Sequence, residues 1–562
     1  MDMEASYVSG CSDHPILYQT IGAAFDKTVR LHGDREAIVV RHQNVRLTYA
    51  GLAARVDAFA SGLLALGLEP GDRVGIWSPN NLEWVVTQLA TAKAGMILVN
   101  INPAYRIAEL EYCLNKVGCR ALIFARAFKA SDYGAMIAEL APEAASAPLG
   151  CLNAARLPEL QWLIMIADTP PPGCIAFDAV AACANASSDA VLETLADRLQ
   201  PEEPINIQFT SGTTGSPKGA TLTHHNILNN GFFSGRRMGL SAEDRLCIPV
   251  PLYHCFGMVL GVLSCITHGA CMIFPDEAFS AKTVLATVSE ERCTGLHGVP
   301  TMFIAELDDP DFLRFDLSSL RTGIMAGAPC PVDVMERVIA QMHMREITIG
   351  YGMTEVSPLS FQTMASDSLT KRVETVGQVH DFVEAKIVDR DGRVLPRGTQ
   401  GEILFRGYSL MKGYWEDADR TAEAVDPAGW IRSGDLATMD ADGYVRITGR
   451  AKDMIIRGGE NIFPREIEEF LHRHPDIQEA QVFGLPDERL GEEVCAWIRL
   501  RDPGLTTEAL RAYCQGQIAH FKVPRHIRFV TEFPMTVTGK IQKFAMRDIM
   551  LAEHAPLERQ TA

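Results

Sequence analysis

The first 125 residues alternate between two hydrophobic patterns, and this alternation restricts the fold more than any other feature of the sequence. Some segments repeat apolar residues at helical spacing, and the segments between them are short apolar runs typical of buried strands. A β-α-β-α order of this kind predicts a mainly parallel sheet covered by helices. The predicted helices are 48–67, with Thr48 as its cap, 82–95 and 107–117, and the predicted strands are 73–77, 96–101 and 120–124.

The rest of the chain divides into three further regions. Alternation resumes over residues 205–363 and again from 466 to about 550, whereas 373–449 contains short runs separated by Asp-Gly turns. Such runs indicate antiparallel strands or a small barrel. We therefore predict an α/β fold with a large N-terminal domain (1–449), made of two α/β subdomains and a small β-barrel, and a small α+β C-terminal domain (450–562).

One apolar segment, residues 255–275, is nearly long enough to cross a bilayer. Thr267, His268 and Gly269 interrupt it, and it lacks basic flanks. We expect a buried helix, a turn at His268-Gly269 and a strand at 270–274 rather than a transmembrane segment.

Charge and cysteine content restrict the partners and the compartment. The net charge of −18 argues against nucleic acid or an anionic membrane as the main partner. The 14 cysteines show neither a C-x-x-C pattern nor zinc-ligand spacing, which favours free thiols in a reducing compartment. The first residues lack the features of a signal peptide. We expect a cytoplasmic protein that acts on small molecules.

The stretch T-S-G-T-T-G-S-P-K-G at 210–219 is the most informative pattern. Its glycines allow close approach of the backbone to an anion, and its hydroxyls and Lys218 supply donors for phosphate oxygens. The flanking residues 206–209 and 220–223 read as strands. The Walker pattern does not fit, because Pro217 stands where its second Gly is required and Gly219 follows Lys218. We predict a phosphate-binding hairpin of another kind, with a polar surface turn as the alternative.

Shorter motifs follow, and each alone also fits a simple turn or a surface residue. Tyr351-Gly-Met-Thr-Glu355 comes after a short strand, so an aromatic ring can stack on a purine and a carboxylate can hold Mg²⁺. Arg432-Ser-Gly-Asp435 places at a Gly turn a carboxylate that can accept hydrogen bonds from a ribose diol. The sequence continues with Gly449-Arg450 and, near its C-terminus, with Pro534-Met-Thr-Val-Thr-Gly-Lys540.

Together these motifs resemble the signature of the adenylate-forming superfamily, which includes acyl-CoA synthetases, firefly luciferase and peptide-synthetase adenylation domains. The stretch 210–219 matches T-S-G-T-T-G-x-P-K-G at every fixed position, and the resemblance in order and spacing spans nearly the whole chain. It implies that ATP is bound by Thr210, Ser211, Gly212, Thr213, Thr214, Gly215, Lys218, Tyr351, Thr354, Asp435, Arg450 and Lys540. It further implies that Glu355 binds magnesium and that Lys540, Lys218 and Glu355 are catalytic.

The same resemblance assigns roles in the second half of the reaction. Lys452 occupies the position of the hinge into a mobile C-terminal domain, and Gly458 and Gly459 that of the glycines lining the pantetheine tunnel. Arg457 departs from the small polar residue often found beside them. His254 matches a segment beside the acyl pocket, although a core histidine is the alternative, and small residues at Gly327 and Ala328 are expected at the pocket floor.

The resemblance thus implies a fatty acid–CoA ligase that uses ATP, Mg²⁺ and coenzyme A and forms an acyl-adenylate. It is nearest to the medium-chain acyl-CoA synthetase branch. The alternatives are an enzyme for an aryl or other small acid, an acyl-AMP ligase serving a carrier protein, and an inactive acyl or nucleotide sensor. Peripheral contact with a membrane stays open, as does the choice between monomer and homodimer.

Overall fold

The computed structural model describes residues 4–210, 217–328, 330–458, 460–487, 489–501, 503–536 and 541–554. The chain forms two compact units. The larger unit consists of Ser9–Glu384 and Phe405–Ile431, and the smaller unit of Met1–Val8, Ala385–Leu404 and Arg432–Ala562. The expected boundary between residues 449 and 450 stays a prediction.

The strands follow one another along the chain as β1 (Tyr7–Ser9), β2 (Glu36–Val40), β3 (Val45–Thr48), β4 (Arg73–Trp77), β5 (Ile97–Asn100), β6 (Cys119–Ala125), β7 (Ala127–Phe128), β8 (Ser131–Asp132), β9 (Trp162–Ile166), β10 (Cys174–Ala176), β11 (Pro204–Thr210), β12 (Lys218–Thr223), β13 (Arg245–Cys247), β14 (Cys271–Phe274), β15 (Gly295–Leu296), β16 (Thr322–Ala326), β17 (Glu346–Gly352), β18 (Leu359–Gln362), β19 (Gln378–Val379), β20 (Val383–Val388), β21 (Gly401–Gly407), β22 (Gly413–Tyr414), β23 (Ile431–Met439), β24 (Val445–Arg450), β25 (Ile455–Arg457), β26 (Glu460–Ile462), β27 (Ile477–Asp487), β28 (Gly491–Leu500) and β29 (His526–Val530).

The α-helices are α1 (Ile21–His32), α2 (Tyr49–Ala65), α3 (Leu82–Ala94), α4 (Ile107–Val117), α5 (Tyr133–Leu140), α6 (Phe177–Ala181), α7 (Ala186–Arg198), α8 (His224–Arg237), α9 (Ser264–His268), α10 (Ala281–Glu291), α11 (Pro300–Leu307), α12 (Val332–Gln341), α13 (Leu369–Glu374), α14 (Ala418–Ala424), α15 (Pro464–Leu471), α16 (Thr507–Cys514) and α17 (Lys543–His554). Short 3-10 helices cover Pro142–Ala145, Phe312–Arg314, Thr354–Val356, Ala451–Asp453 and His520–Lys522.

Two large sheets form the larger unit within the described ranges. One has the order β10-β9-β6-β4-β5-β11-β12-β22 and is parallel from β10 to β11. The other has the order β19-β18-β17-β16-β15-β13-β14-β2-β3 and is parallel from β17 to β2. The predicted mainly parallel α/β organisation is therefore confirmed.

Local sequence signals set the helix ends in this unit. The Thr48 hydroxyl accepts a hydrogen bond from the Gly51 N–H at 3.1 Å and caps α2 as predicted. The Asn81 side chain caps α3 in the same way, accepting from the Trp84 N–H at 2.8 Å. Gly95 ends α3 in the left-handed region with φ +70°, which glycine adopts without steric cost.

The apolar segment 255–275 is broken as the sequence predicts, with one difference. A fully buried π-helix, Phe256–Leu263, leads into α9, Gly269 ends α9 with φ +73°, and β14 follows. The π-helical stretch was not foreseen, since apolar periodicity over eight residues does not separate α from π. None of the described helices is long and apolar enough to cross a membrane.

The smaller unit contains mainly antiparallel structure. Strands β1, β20, β21, β23 and β24 form a five-stranded sheet in that order. A second sheet has the order β26-β25-β28-β27, with β29 beside β28, and α15 and α16 cover its core. The antiparallel strands lie where the sequence predicted a small barrel, and closure of that barrel stays a prediction.

The 14 cysteines are free thiols, as the sequence predicts. Cys11 and Cys151 are exposed and Cys174 and Cys183 are half-buried, whereas the others are buried. Burial raises the pKa of the Cys119 and Cys495 thiols to about 12, so these thiols are neutral at ordinary pH.

Glu306 on α11 is a carboxyl group in the apolar core of the larger unit. Its exposed fraction is 0%, and both carboxyl oxygens are buried without a hydrogen-bond partner among the described residues. Burial raises the pKa of Glu306 well above its ordinary value, so the neutral acid is the folded form.

We predict that Glu306→Gln makes the stability of the protein less sensitive to pH. A raised folded pKa stabilises the fold fully below the unfolded pKa, and this contribution is lost as the pH rises toward the folded pKa. The variant should gain up to about 1.4 kcal/mol relative to wild type for each pH unit above about 5. Urea midpoints at pH 6 and pH 8 measure this. The exposed Glu193→Gln is the control, and parallel pH profiles for wild type and Glu306→Gln would contradict the prediction.

Candidate active site

Two of the predicted motifs lie side by side at one edge of the second large sheet. Strands β16 and β17 are parallel neighbours, with Ala326 paired to Gly350. Gly327 and Ala328 directly follow β16 and are exposed, and the Tyr351–Glu355 motif runs from the end of β17 into the 3-10 helix Thr354–Val356. Carboxyl ends of parallel strands are the usual place for ligand binding in α/β sheets.

Gly327 needs to be glycine for two reasons. Its φ is +88°, a conformation that L side chains rarely adopt, and an added Cβ would approach the Val299 Cγ1 to 3.2 Å. A role of Gly327 and Ala328 at an acyl pocket stays a prediction.

The predicted phosphate loop connects β11 and β12, which are antiparallel as the sequence indicates. Thr210 and Lys218 form the last residue pair before the loop. The intervening residues Ser211, Gly212, Thr213, Thr214 and Gly215 lie outside the described residues.

Tyr414 connects this hairpin with Glu355. β22 pairs with β12 through Tyr414 and Ala220, which places the Tyr414 ring beside Lys218. The Lys218 Nζ lies 4.9 Å from the centroid of that ring, within cation–π range. The Tyr414 hydroxyl donates a hydrogen bond of 2.9 Å to the Glu355 Oε1. The structure thus brings two predicted catalytic residues, Lys218 and Glu355, to the same tyrosine.

Burial determines the electrostatics of Glu355 and Tyr414. The Glu355 residue is 8% exposed, and the Met411 N–H donates to its carbonyl at 2.9 Å. Burial, and then the charge of Glu355 and the hydrogen bond to it, raise the pKa of the Tyr414 hydroxyl. The phenol therefore remains a donor, and Glu355 is held in one orientation as an acceptor.

Tyr414 is the residue that sequence reasoning missed. Its short strand, Gly413–Tyr414, carries no catalytic pattern of its own. Only the pairing of β22 with β12, which depends on tertiary structure, places the ring against Lys218 and the hydroxyl on Glu355.

Tyr351 and Thr354 flank the same strand end. Tyr351 is half-buried, and its ring lies 6.1 Å from that of Phe405 in an edge-on arrangement. Thr354 begins the 3-10 helix that carries Glu355. Stacking of Tyr351 on a purine stays a prediction.

Asp435 and Arg450 form a pair in the smaller unit. They are register partners on β23 and β24, and the Arg450 Nε donates to the Asp435 Oδ1 at 3.1 Å. The motif was expected at a Gly turn, but it lies within β23. Gly434, with φ +71°, changes the direction of the backbone there without ending the strand. Asp435 is largely buried, whereas 57% of the Arg450 side chain is exposed.

The remaining predicted residues of the smaller unit follow β24. Lys452 is exposed in the 3-10 helix Ala451–Asp453, and Gly458 lies just after β25 with φ +59°. The Gly458 N–H donates to the Leu490 carbonyl at 2.8 Å. Gly459 and Lys540 lie outside the described residues.

His254 makes hydrogen bonds to the backbone at the start of the π-helix. Its Nδ1 accepts a hydrogen bond from the Phe256 N–H at 3.2 Å, and its carbonyl accepts from the Gly257 and Met258 N–H groups. His254 is half-buried, and both a role beside the acyl pocket and the core alternative stay predictions.

Comparison with known proteins identifies the class. A model described as AMP-binding enzyme matches residues 25–415, and one described as AMP-binding enzyme C-terminal domain matches residues 466–540. The chain belongs to the AMP-binding enzyme family.

Relatives within that family include acid–CoA ligases. The human protein named medium-chain acyl-CoA ligase ACSF2, mitochondrial, is 46% identical over 97% of this chain and 90% of its own length. The Bacillus subtilis (strain 168) protein YngI is 48% identical over 95% of this chain and 97% of its own length. Among solved structures, the anthranilate CoA ligase AuaEII in complex with anthranoyl-AMP matches with TM-score 0.85 and 28% identity, over 96% of this chain and 99% of that one. ATP-bound MatB from Rhodopseudomonas palustris matches with TM-score 0.80 and 28% identity, over 94% and 98%.

We predict that Tyr414→Phe lowers the rate of acid-dependent ATP–pyrophosphate exchange about tenfold, because Glu355 loses the donor that orients it. Tyr414→Leu should lower it further, since Lys218 then also loses the aromatic face. The control is Tyr133→Phe, which removes a buried hydroxyl bonded to the Pro103 carbonyl in the same unit. Exchange at the wild-type rate in Tyr414→Phe, or an equal loss in Tyr133→Phe, would contradict the assignment.

Proposed function

We propose that the chain is an AMP-forming acyl-CoA ligase whose acid is a medium-chain fatty acid. ATP and the acid give an acyl-adenylate and diphosphate, and CoA then displaces AMP to give acyl-CoA. The observation that carries this proposal is 46% identity over 97% of the chain to proteins named medium-chain acyl-CoA ligase. The grouping of Lys218, Tyr414 and Glu355 supports the first half-reaction.

The chemical task of the first step explains the charged residues. A carboxylate is a poor electrophile, and attack of its oxygen on the α-phosphate of ATP provides AMP as a good leaving group. An anion must therefore approach a polyanion, and Lys218 and Lys540 lower the cost of this approach. At an effective dielectric constant near 20, one charge pair at about 4 Å contributes roughly 4 kcal/mol.

Glu355 fits a magnesium ligand by its chemistry. It is a mostly buried carboxylate whose orientation Tyr414 fixes through one oxygen. Within the described residues no group of three or more His, Cys, Asp or Glu forms a metal cage. Mg²⁺ commonly uses one or two carboxylates together with substrate phosphates and water, so Glu355 alone suits it. When bound, Mg²⁺ would supply positive charge to the phosphate oxygens.

The nucleotide and CoA contacts of the smaller unit are assigned by motif. Asp435 would accept hydrogen bonds from the ribose hydroxyls, while Arg450 both orients Asp435 and supplies charge. Gly458 and Gly459 would line the path of the pantetheine arm. Lys452 would act as the hinge between the two half-reactions.

The identity of the acid has two candidates. Relatives at 46% identity are named for medium-chain acids, whereas a solved structure at 28% identity and TM-score 0.85 is an anthranilate CoA ligase. The higher identity favours an aliphatic acid, and the small residues Gly327 and Ala328 are in keeping with space for an alkyl chain. An aryl acid is the second candidate.

An acid panel tests the proposal. With ATP, Mg²⁺ and CoA we expect AMP and acyl-CoA from saturated acids of medium length, and much slower turnover of benzoate and anthranilate. Acyl-AMP accumulation despite CoA would indicate a ligase for a carrier protein, and no turnover would indicate a sensor. Lys540→Ala is the matched inactive control and should slow adenylate formation about a thousandfold.

A second prediction concerns the hinge. Lys452→Pro should preserve acid-dependent ATP–pyrophosphate exchange and abolish acyl-CoA formation, because proline fixes φ at the residue where the backbone must rotate. Lys452→Ala is the control, since it removes the side chain but leaves the torsion free. Equal loss of both half-reactions in Lys452→Pro would refute the hinge assignment.

Location and assembly remain predictions. The 14 free cysteines favour a reducing compartment such as the cytoplasm, whereas the vertebrate relatives are named mitochondrial. Small molecules are the proposed partners, and the chain is expected to act as a monomer or a homodimer.

A further inference from the structure

Arg457, which directly precedes Gly458, is held by a buried carboxylate. The Arg457 Nε donates to the Glu493 Oε2 at 2.6 Å, and its Nη2 donates to the Glu493 Oε1 at 3.1 Å. The Glu493 side chain is 1% exposed. This two-point contact fixes the orientation of a planar guanidinium as well as its distance.

A second guanidinium keeps Glu493 ionised. The Arg525 Nη1 donates to the Glu493 Oε1 at 3.1 Å. Burial alone would raise the pKa of Glu493, but the hydrogen bonds from Arg457 and Arg525 and their charges outweigh it and hold that pKa below its ordinary value. Removing one partner of such a buried, hydrogen-bonded charge is costly.

Residues at the start of β28, the strand that carries Glu493, also hold the backbone around Gly458. Arg457 pairs with Gly491 where β25 meets β28, and the Ile456 N–H donates to the Glu492 Oε2 at 2.8 Å. The Gly458 N–H donates to the Leu490 carbonyl, and an added Cβ at Gly458 would lie 3.3 Å from the Leu490 Cδ2. The first turn of this glycine segment therefore takes its position from the start of β28.

These contacts explain why position 457 holds Arg rather than the small polar residue often found there. A small polar side chain there could not reach Glu493, which would leave a buried carboxylate with Arg525 as its remaining guanidinium. Arg457 and Glu493 therefore form a matched pair, and the pair lies next to the residue assigned to the pantetheine path.

We propose that Glu493 is a positioning residue for thioester formation: through Arg457 it holds the backbone of Gly458 in the conformation that admits the pantetheine arm of CoA. This inference rests on the proposed acyl-CoA ligase function and deepens it. Glu493 acts in the second half-reaction and leaves adenylate formation unaffected.

The test uses the full chain and measures the half-reactions separately. Acid-dependent ATP–pyrophosphate exchange reports adenylation, and CoA-dependent consumption of acyl-AMP reports thioester formation. For Glu493→Gln we expect exchange within twofold of wild type and a fall of roughly tenfold in kcat/KM for CoA, the size of effect expected for a lost charged hydrogen bond. Arg457→Lys, which keeps the charge but loses the two-point contact, should fall between wild type and Glu493→Gln.

The chain offers a matched control on the same hairpin. Glu479 on β27 is buried and pairs with Arg499 at 3.2 Å, with side-chain exposures of 8% and 20% that resemble those of Glu493 and Arg457. Six residues separate Arg499 from Glu493 along β28, which is about 20 Å. Glu479→Gln should leave kcat/KM for CoA unchanged.

A double variant separates positioning from folding. In Glu493→Gln/Arg457→Met the buried pair is removed from both sides, so the thermal midpoint should recover relative to Glu493→Gln. The defect with CoA should persist, because the side-chain contact that fixes the residue before Gly458 is then absent. Recovery of CoA activity together with stability would overturn the proposal, as would equal losses in both half-reactions or an unchanged kcat/KM. A wild-type enzyme that forms no acyl-CoA would instead refute the proposed function.

Discussion

Parallel pairing of strands is the constraint on which the larger unit depends. Two sheets with parallel centres require crossover helices on their faces, which explains why their strands are continuous apolar runs. The same pairing directs the ends of neighbouring strands to one edge. That is how the turn at Gly327 comes to lie beside the Tyr351–Glu355 motif, although the two are well separated in sequence.

Tyr414 shows how charged side chains are oriented in the larger unit. One side chain serves two charges of opposite sign, with its ring toward the Lys218 ammonium group and its hydroxyl on the Glu355 carboxylate. A direct ion pair would have satisfied both groups with each other. A tyrosine placed between them orients both groups without pairing the two charges with each other.

The sequence predicted much of the fold because the relevant signals are local. The strand at 73–77 and the helix at 107–117 have the predicted bounds, and Thr48 caps α2 as expected. The π-helix Phe256–Leu263 and the placement of Asp435 inside a strand were not foreseen, since both depend on backbone adjustments that no periodicity records.

The residues of the candidate site likewise fall into those that the sequence predicted and those that it did not. Its motifs were readable because they are contiguous stretches. Tyr414 and the Arg457–Glu493 pair were not, because each depends on which strands become neighbours: β22 with β12 in the first case and β25 with β28 in the second. These are tertiary facts that a residue's own neighbourhood in the sequence does not carry.

The distribution of free cysteines has a practical consequence. A thiol reagent would reach Cys11 and Cys151 in the native protein, whereas the buried thiols would react only when the surrounding structure opens. Cys495 and Cys514 belong to the smaller unit and the other buried cysteines to the larger. Mass spectrometry of the modified positions over time would therefore record the opening of each unit separately, without any engineered probe.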